Sequence, residues 1–363
     1  MEEEKVTFDG SEIETEANIE KCPGCGANMV FSPEKQALEC PYCGTVATIE
    51  NSFGEEIRFA NLLSSASTWA DETHVFRCEN CGARTVLDRT EIAKTCSFCG
   101  TTNIVETDEL SGLKPNAVVP FRLTVQNAIE RVKTWVKRKF FAPGKFKKSV
   151  TPENVSGLYT PAFTYDAQTH STYSGVLGKY EYRTRRVNGK TVRERYTRYF
   201  HIGGSHELFF DDVLIQASSG ISQGSIDKLQ PFGTSDSKEY AKEYLSGFTA
   251  SQYTKDGLAC WEEAKTRMNG RIRSAILSRY VYDVVSSLNV DTNYSNVTYK
   301  YVLLPVYIGH CGWKNKIYNF FVNGYNGNVT GKTPVSVWKV LAVVLAGLAV
   351  VGGLFALVYF TGG

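Results

Sequence analysis

Eight of the ten cysteines stand in four C-x-x-C pairs, Cys22/Cys25, Cys40/Cys43, Cys78/Cys81 and Cys96/Cys99. Taken two pairs at a time they share one spacing, C-x2-C-x14-C-x2-C, and the second unit begins 56 residues after the first. A tight turn between two thiolates presents both sulfurs to one ion, and two such turns close a tetrahedron with no position left for water. That is the arrangement of a structural zinc site and not of a catalytic one. A glycine follows the second cysteine of each pair (Gly26, Gly44, Gly82, Gly100) and lets the backbone turn back toward the metal. The pattern predicts two structural Zn2+ ions, one on Cys22, Cys25, Cys40 and Cys43, the other on Cys78, Cys81, Cys96 and Cys99. Rubredoxin-type iron uses the same ligands. A redox dithiol would need a single pair and leaves the matched spacing unexplained.

Between the two knuckles of a unit, the 14 intervening residues suffice for a short hairpin: "NMVF", a turn over Ser32-Pro33-Glu34-Lys35, then "ALEC" in the first unit. Each unit therefore reads as a zinc ribbon, at 21–50 and 75–106, joined by a linker at 51–74. At about 30 residues neither buries enough surface to fold without its metal. Neither is strongly basic: Lys35 lies between Glu34 and Glu39, and Arg84, Arg89 and Lys94 are opposed by Asp88 and Glu91. Residues 1–20 carry eight acidic groups against Lys5 and read as a solvated, flexible tail. They lack the basic start and apolar stretch of a secretory signal, so the expected compartment is the reducing cytoplasm, where paired thiols stay available to metal. Cys260 and Cys311 read as small buried hydrophobes.

Beyond the ribbons, 107–150 reads as a linker with a basic amphipathic helix. Val125, Ile129, Val132, Val136 and Phe140 recur at helical spacing, and eight basic and no acidic residues lie between Arg131 and Lys148. Contact with anionic lipid or nucleic acid competes with a merely solvated face. A second basic stretch, 179–201, centres on Asn188-Gly189, the signal of a two-residue hairpin, and sets Arg183 opposite Glu194 and Tyr182 opposite Arg195. Its interleaved tyrosines and arginines suit a nucleic-acid platform and equally an ordinary exposed strand pair. Residues 257–277 predict an amphipathic helix through Leu258, Trp261, Met268, Ile272 and Ile276, and 299–309 and 316–324 predict strands. Together 151–334 reads as one α+β domain with a mainly antiparallel sheet. No catalytic set emerges. The G-K-T runs at 189–191 and 331–333 lack the first glycine of a phosphate loop, with Thr184 and Asn326 in its place. His201, His206, Asp211 and Asp212 would have to be assembled by the fold to make a metal or acid–base site.

Val340–Phe360 holds no charged residue in 21 positions. At about 1.5 Å per residue it covers about 30 Å, so 335–360 predicts a transmembrane helix rather than a buried helix, which would keep a polar stripe. Lys332 and Lys339 precede it, which predicts a single-pass, tail-anchored protein of the cell membrane with its amino-terminal domains cytoplasmic.

The doubled ribbons, "LKPNAVVPF" (113–121), "GLYTPAFTYDAQTHSTYSG" (157–175), "LLPVYIGHCGWKNKIYNFFVNGYNGNVTGKTPVS" (303–336) and the apolar end together resemble bacterial TFIIB-type double-zinc-ribbon, tail-anchored membrane proteins. Phe163 stands where that pattern has tryptophan, and the loop with His310 and Cys311 departs from it. Some such proteins carry a primosomal or helicase name, which the missing phosphate loop argues against here. Relatives occur beside phage-shock-protein-A-like and SPFH or virion-core-like proteins, so the resemblance implies such protein partners in membrane-stress assemblies. The expected function is a non-enzymatic, membrane-anchored zinc adaptor that recruits proteins and has no small-molecule substrate. The alternative is a membrane-attached nucleic-acid-binding or replication-associated protein.

Overall fold

The computed structural model describes residues 21–50, 52–62, 73–79, 84–88, 104–107, 113–148, 155–187, 190–314 and 316–361; the side chains of 73–76, 85–88, 104–107, 187, 312 and 354–361 are outside the description. The first cysteine unit forms a small antiparallel sheet of β1 (Val30–Ser32), β2 (Ala37–Glu39) and β3 (Val46–Ala47). Next come β4 (Ile57–Arg58), α1 (Phe59–Leu62), β5 (Thr73–Cys78), β6 (Arg84–Asp88), β7 (Ile104–Thr107) and β8 (Ala117–Val118). Helices α2 (Val125–Arg138) and α3 (Gly144–Lys148) follow.

Three long strands dominate: β9 (Val155–Val187), β10 (Lys190–Gln216) and β13 (Val284–Trp313). At about 3.3 Å per residue β9 alone extends roughly 100 Å. It pairs antiparallel with β10 on one edge and β13 on the other. Between β10 and β13 lie α4 (Gln223–Leu229), β11 (Lys238–Glu239), β12 (Thr249–Ser251) and α5 (Gly257–Leu277). The chain closes with β14 (Lys316–Asn323), β15 (Val329–Gly331) and α6 (Val337–Thr361). Within the stretch read as a linker, β4 pairs with β13. The second unit's β6 joins the large sheet through β12, which also runs parallel to β9.

Burial follows from what covers each length of β9. Near its start both faces are covered: Val155 and Tyr159 share a cluster with α2's Ile129, Val132 and Val136, while Leu158 and Ala162 meet Ile226 and Leu229 of α4. Further along, Tyr165, Ala167, Tyr173 and Leu177 face Trp261, Met268 and Ile272 of α5, and the alternate residues Gln168, His170, Thr172 and Ser174 are exposed. Helix α5 begins after Asp256, whose carboxylate accepts the Ala259 N–H at 2.7 Å. Its buried stripe runs through Cys260 and Ala264, leaving Leu258 exposed. Phe140 likewise falls beyond α2 and is exposed.

The sheet domain is mainly antiparallel, but the expected fold class needs correction at the carboxyl end. A helix does form there, Val337–Thr361, yet among the described residues no helix is long and apolar enough to cross a membrane. The start of the helix is tied to the protein instead: Lys339 Nζ donates to the Phe140 and Ala142 carbonyls at 2.9 Å each. The expected single-pass membrane location loses its basis with the span.

Candidate metal centre

Four sulfurs converge at the end of the small sheet. The metal-ligating atoms of Cys22, Cys25, Cys40 and Cys43 all lie within 4.8 Å of one another, with Cys22 Sγ to Cys43 Sγ at 3.3 Å and Cys25 Sγ to Cys40 Sγ at 3.5 Å. A tetrahedral Zn–S distance of about 2.3 Å requires sulfurs about 3.8 Å apart, so the set fits a four-coordinate ion. The two turns are built alike. Gly26 N donates to the Cys22 carbonyl at 2.8 Å and Gly44 N to that of Cys40 at 2.9 Å, with φ of 71° and 74°. Such left-handed backbone is what glycine tolerates best. Between the knuckles, Gln36 (φ 52°) closes the β1–β2 turn through its N–H to Ser32 O at 2.8 Å.

The thiols repel one another's charge. Burial raises Cys22, but the Gly24 and Cys25 N–H groups and its sulfur neighbour bring it down to about 6. For Cys25 the Ala27 N–H lowers the value, yet the Cys40 and Cys43 sulfurs push it up to about 12. Four thiolates cannot all ionise at this distance without a cation, and a divalent ion removes that conflict.

The ribbon is docked and does not hang free. Phe31 sits edge-on to Tyr244 with ring centres 5.4 Å apart, its N–H donates to Ser246 O at 3.0 Å, and Gln36 Nε2 donates to Phe121 O at 2.7 Å. Met29, Phe31, Leu38 and Ile49 belong to the same buried cluster as Phe121 and Tyr307. Both knuckles remain exposed, and in the second, between Cys40 and Cys43, Tyr42 is 83% accessible.

Of the second set, Cys78 is buried at the end of β5, while Cys81, Cys96 and Cys99 lie outside the described residues, as do 1–20 and the Asn188-Gly189 turn. Cys260 and Cys311 are buried, and burial pushes the Cys260 thiol up to about 12. The histidine–aspartate group does not assemble. His201 and His206 differ by an odd number along β10 and so face opposite sides of the sheet; His201 is exposed and His206 half-buried.

Asp211 joins a group that sequence reasoning missed, with Glu56 and Asp166. Asp166 Oδ1 accepts the Asp212 N–H at 2.7 Å, where Asp212 takes a φ of 47° at a break in the β9–β10 register. Lys300, 5% exposed, brings its ammonium 3.2 Å from Asp212 Oδ1 and 3.5 Å from Glu56 Oε1. Burial first, and Glu56 second, push Asp166 up to about 7. Burial also works against Glu56, but hydrogen bonds from Asp166 and Thr298 and the Lys300 charge hold it below the usual carboxylate range. One proton and one ammonium thus neutralise much of the cluster, which acts as a latch joining the 52–58 segment to β9, β10 and β13. These residues come from four segments far apart in the chain, so no spacing could have revealed them.

No family model and no solved structure matches the chain. Over 325 residues, 89% of this chain, it is 30% identical to "Uncharacterized protein YdjG" of Bacillus subtilis (strain 168), of which the match covers 92%. The chain belongs to the family of that Bacillus protein.

Proposed function

We propose that this protein is an adaptor that works by binding other proteins, with metal-ordered ribbons as its recruiting surfaces. The observation that carries the reading is the second knuckle: Tyr42, between Cys40 and Cys43, projects into solvent from a turn whose preceding hairpin is anchored in the core. An exposed aromatic on a rigid turn is the kind of anchor that dominates protein interfaces. The ion we assign is Zn2+, because four thiolates in a closed tetrahedron match its structural sites. We assign a second zinc to Cys78, Cys81, Cys96 and Cys99 on the repeated spacing. The resemblance to TFIIB-type double-ribbon proteins supplies the partner class, phage-shock-protein-A-like and SPFH-type proteins.

The test is co-expression of the full chain with one protein of each kind, followed by copurification. Tyr42→Ala should keep its zinc and its melting temperature yet retain far less partner, whereas Cys25→Ser should lose one zinc and the partner together. Full partner retention by both variants would remove the ribbon from the recruiting role.

A further inference from the structure

Strand β13 begins at Val284, opposite Gly178, and Asp283 caps that end by accepting the Tyr180 N–H at 2.7 Å. Beyond this point the β9–β10 hairpin continues with no third strand among the described residues. Residues 179–187 and 190–198 therefore form a two-stranded arm about 30 Å long, open to solvent on both faces. Between Lys179 and Arg198 it carries eight basic and two acidic residues.

The pairing register sorts these charges by face. Both carboxylates fall on one side, where they are already engaged: Arg183 meets Glu194 at 3.0 Å and Arg198 meets Glu181 at 2.6 Å. The opposite side has no carboxylate. It presents Arg186, Arg193 and Arg195 among threonines and two tyrosines. Two of these guanidiniums are set in place by the rings beneath them, Arg193 over Tyr182 and Arg195 over Tyr180, each 4.3 Å from the ring centre. Stacking of this kind uses the face of the guanidinium and leaves its in-plane N–H donors free for phosphate oxygens.

We propose that this acid-free face of the arm binds duplex DNA through its phosphates, independently of base sequence. Successive residues on one face of a strand are about 6.6 Å apart, close to two nucleotide steps of about 3.4 Å along one DNA strand. A two-stranded ribbon is also the width that the major groove, about 12 Å across, admits. A single strand fits less well. Its grip relies on bases stacking on open aromatic faces, and here arginines cover Tyr180 and Tyr182. This surface is separate from the knuckle assigned to protein partners.

The experiment follows a labelled random-sequence duplex by fluorescence anisotropy with the full chain, from 50 to 200 mM salt. Three phosphate contacts predict a slope near −2.7 in log K against log salt, about a 40-fold loss of affinity over that range. Arg193→Gln with Arg195→Gln should leave one contact and a loss of only about 3- to 4-fold, with far weaker binding at 50 mM. Arg183→Gln with Arg198→Gln removes the same charge from the paired face and should keep most of the slope. All four side chains are exposed, so both variants should melt with the parent chain. Equal losses in the two double variants would overturn the proposal. So would tighter binding to single-stranded DNA, to polyglutamate or to vesicles of anionic lipid than to the duplex.

Discussion

Cys40 and Asp166 show what single side chains must do when burial and charge conflict. The four thiols of Cys22, Cys25, Cys40 and Cys43 stand close enough to hold one metal ion, and on the zinc assignment proposed above Cys40→Ser should lower zinc by one ion per chain in elemental analysis. Because Phe31 and Leu38 are packed into the main core, the loss should also lower the melting temperature of the whole protein, beyond any loosening of residues 21–50. Asp166 relieves its conflict by keeping a proton. Its folded value, raised to about 7, lies above the roughly 3.9 of an unfolded aspartate, so the native state holds a proton the unfolded chain has released. That contribution is full below about pH 4 and is lost as pH rises through about 7. Asp166→Asn keeps the Oδ1 acceptor and mimics the protonated acid. Relative to the parent, it should therefore gain melting temperature between pH 5 and pH 8; a gap that does not change with pH would reject the shared proton.

At the scale of elements, the sequence was most legible where a signal was local. The hairpin register counted outward from Asn188-Gly189 is the one observed, Arg183 with Glu194 and Tyr182 with Arg195. Helix α5 covers 257–277 as its periodicity predicts. The full length of the three long strands was not legible. Polar runs such as Asp291–Ser295 interrupt the apolar alternation, and the pairing carries them only because β9 lies alongside. Ile57–Arg58 is too short to have a period at all. The composition of 340–360 says helix, and a helix forms over Val337–Thr361. Packing between elements gives a sharp test at Gly309, paired with Phe320 across β13 and β14. A Cβ there would stand 1.9 Å from Phe320 Cε2. Gly309→Ala should cost about 1–3 kcal/mol in denaturant unfolding. Adding Phe320→Leu should recover part of that in a double-mutant cycle, and strict additivity would refute the contact.

Across the whole molecule, the long sheet separates what it carries. The ribbon packs at the base of β9, against Phe121, Tyr159 and Tyr244, while the arm extends past the end of β13 at Val284 and places Tyr182, Val192 and Tyr196 in solvent. An element that buries so little contributes little to global stability. Replacing 180–197 by a two-residue turn should therefore leave a folded protein with its full zinc content and an unchanged melting temperature. It should still copurify with its protein partners, and its DNA binding should fall to background at 50 mM salt. If the shortened chain loses zinc or unfolds, the arm is part of the core's support, and DNA binding must then be judged from the arginine variants alone. If it keeps both its fold and its DNA affinity, the basic face of α2 and its following loop, Arg131 to Lys148, becomes the surface to test in its place.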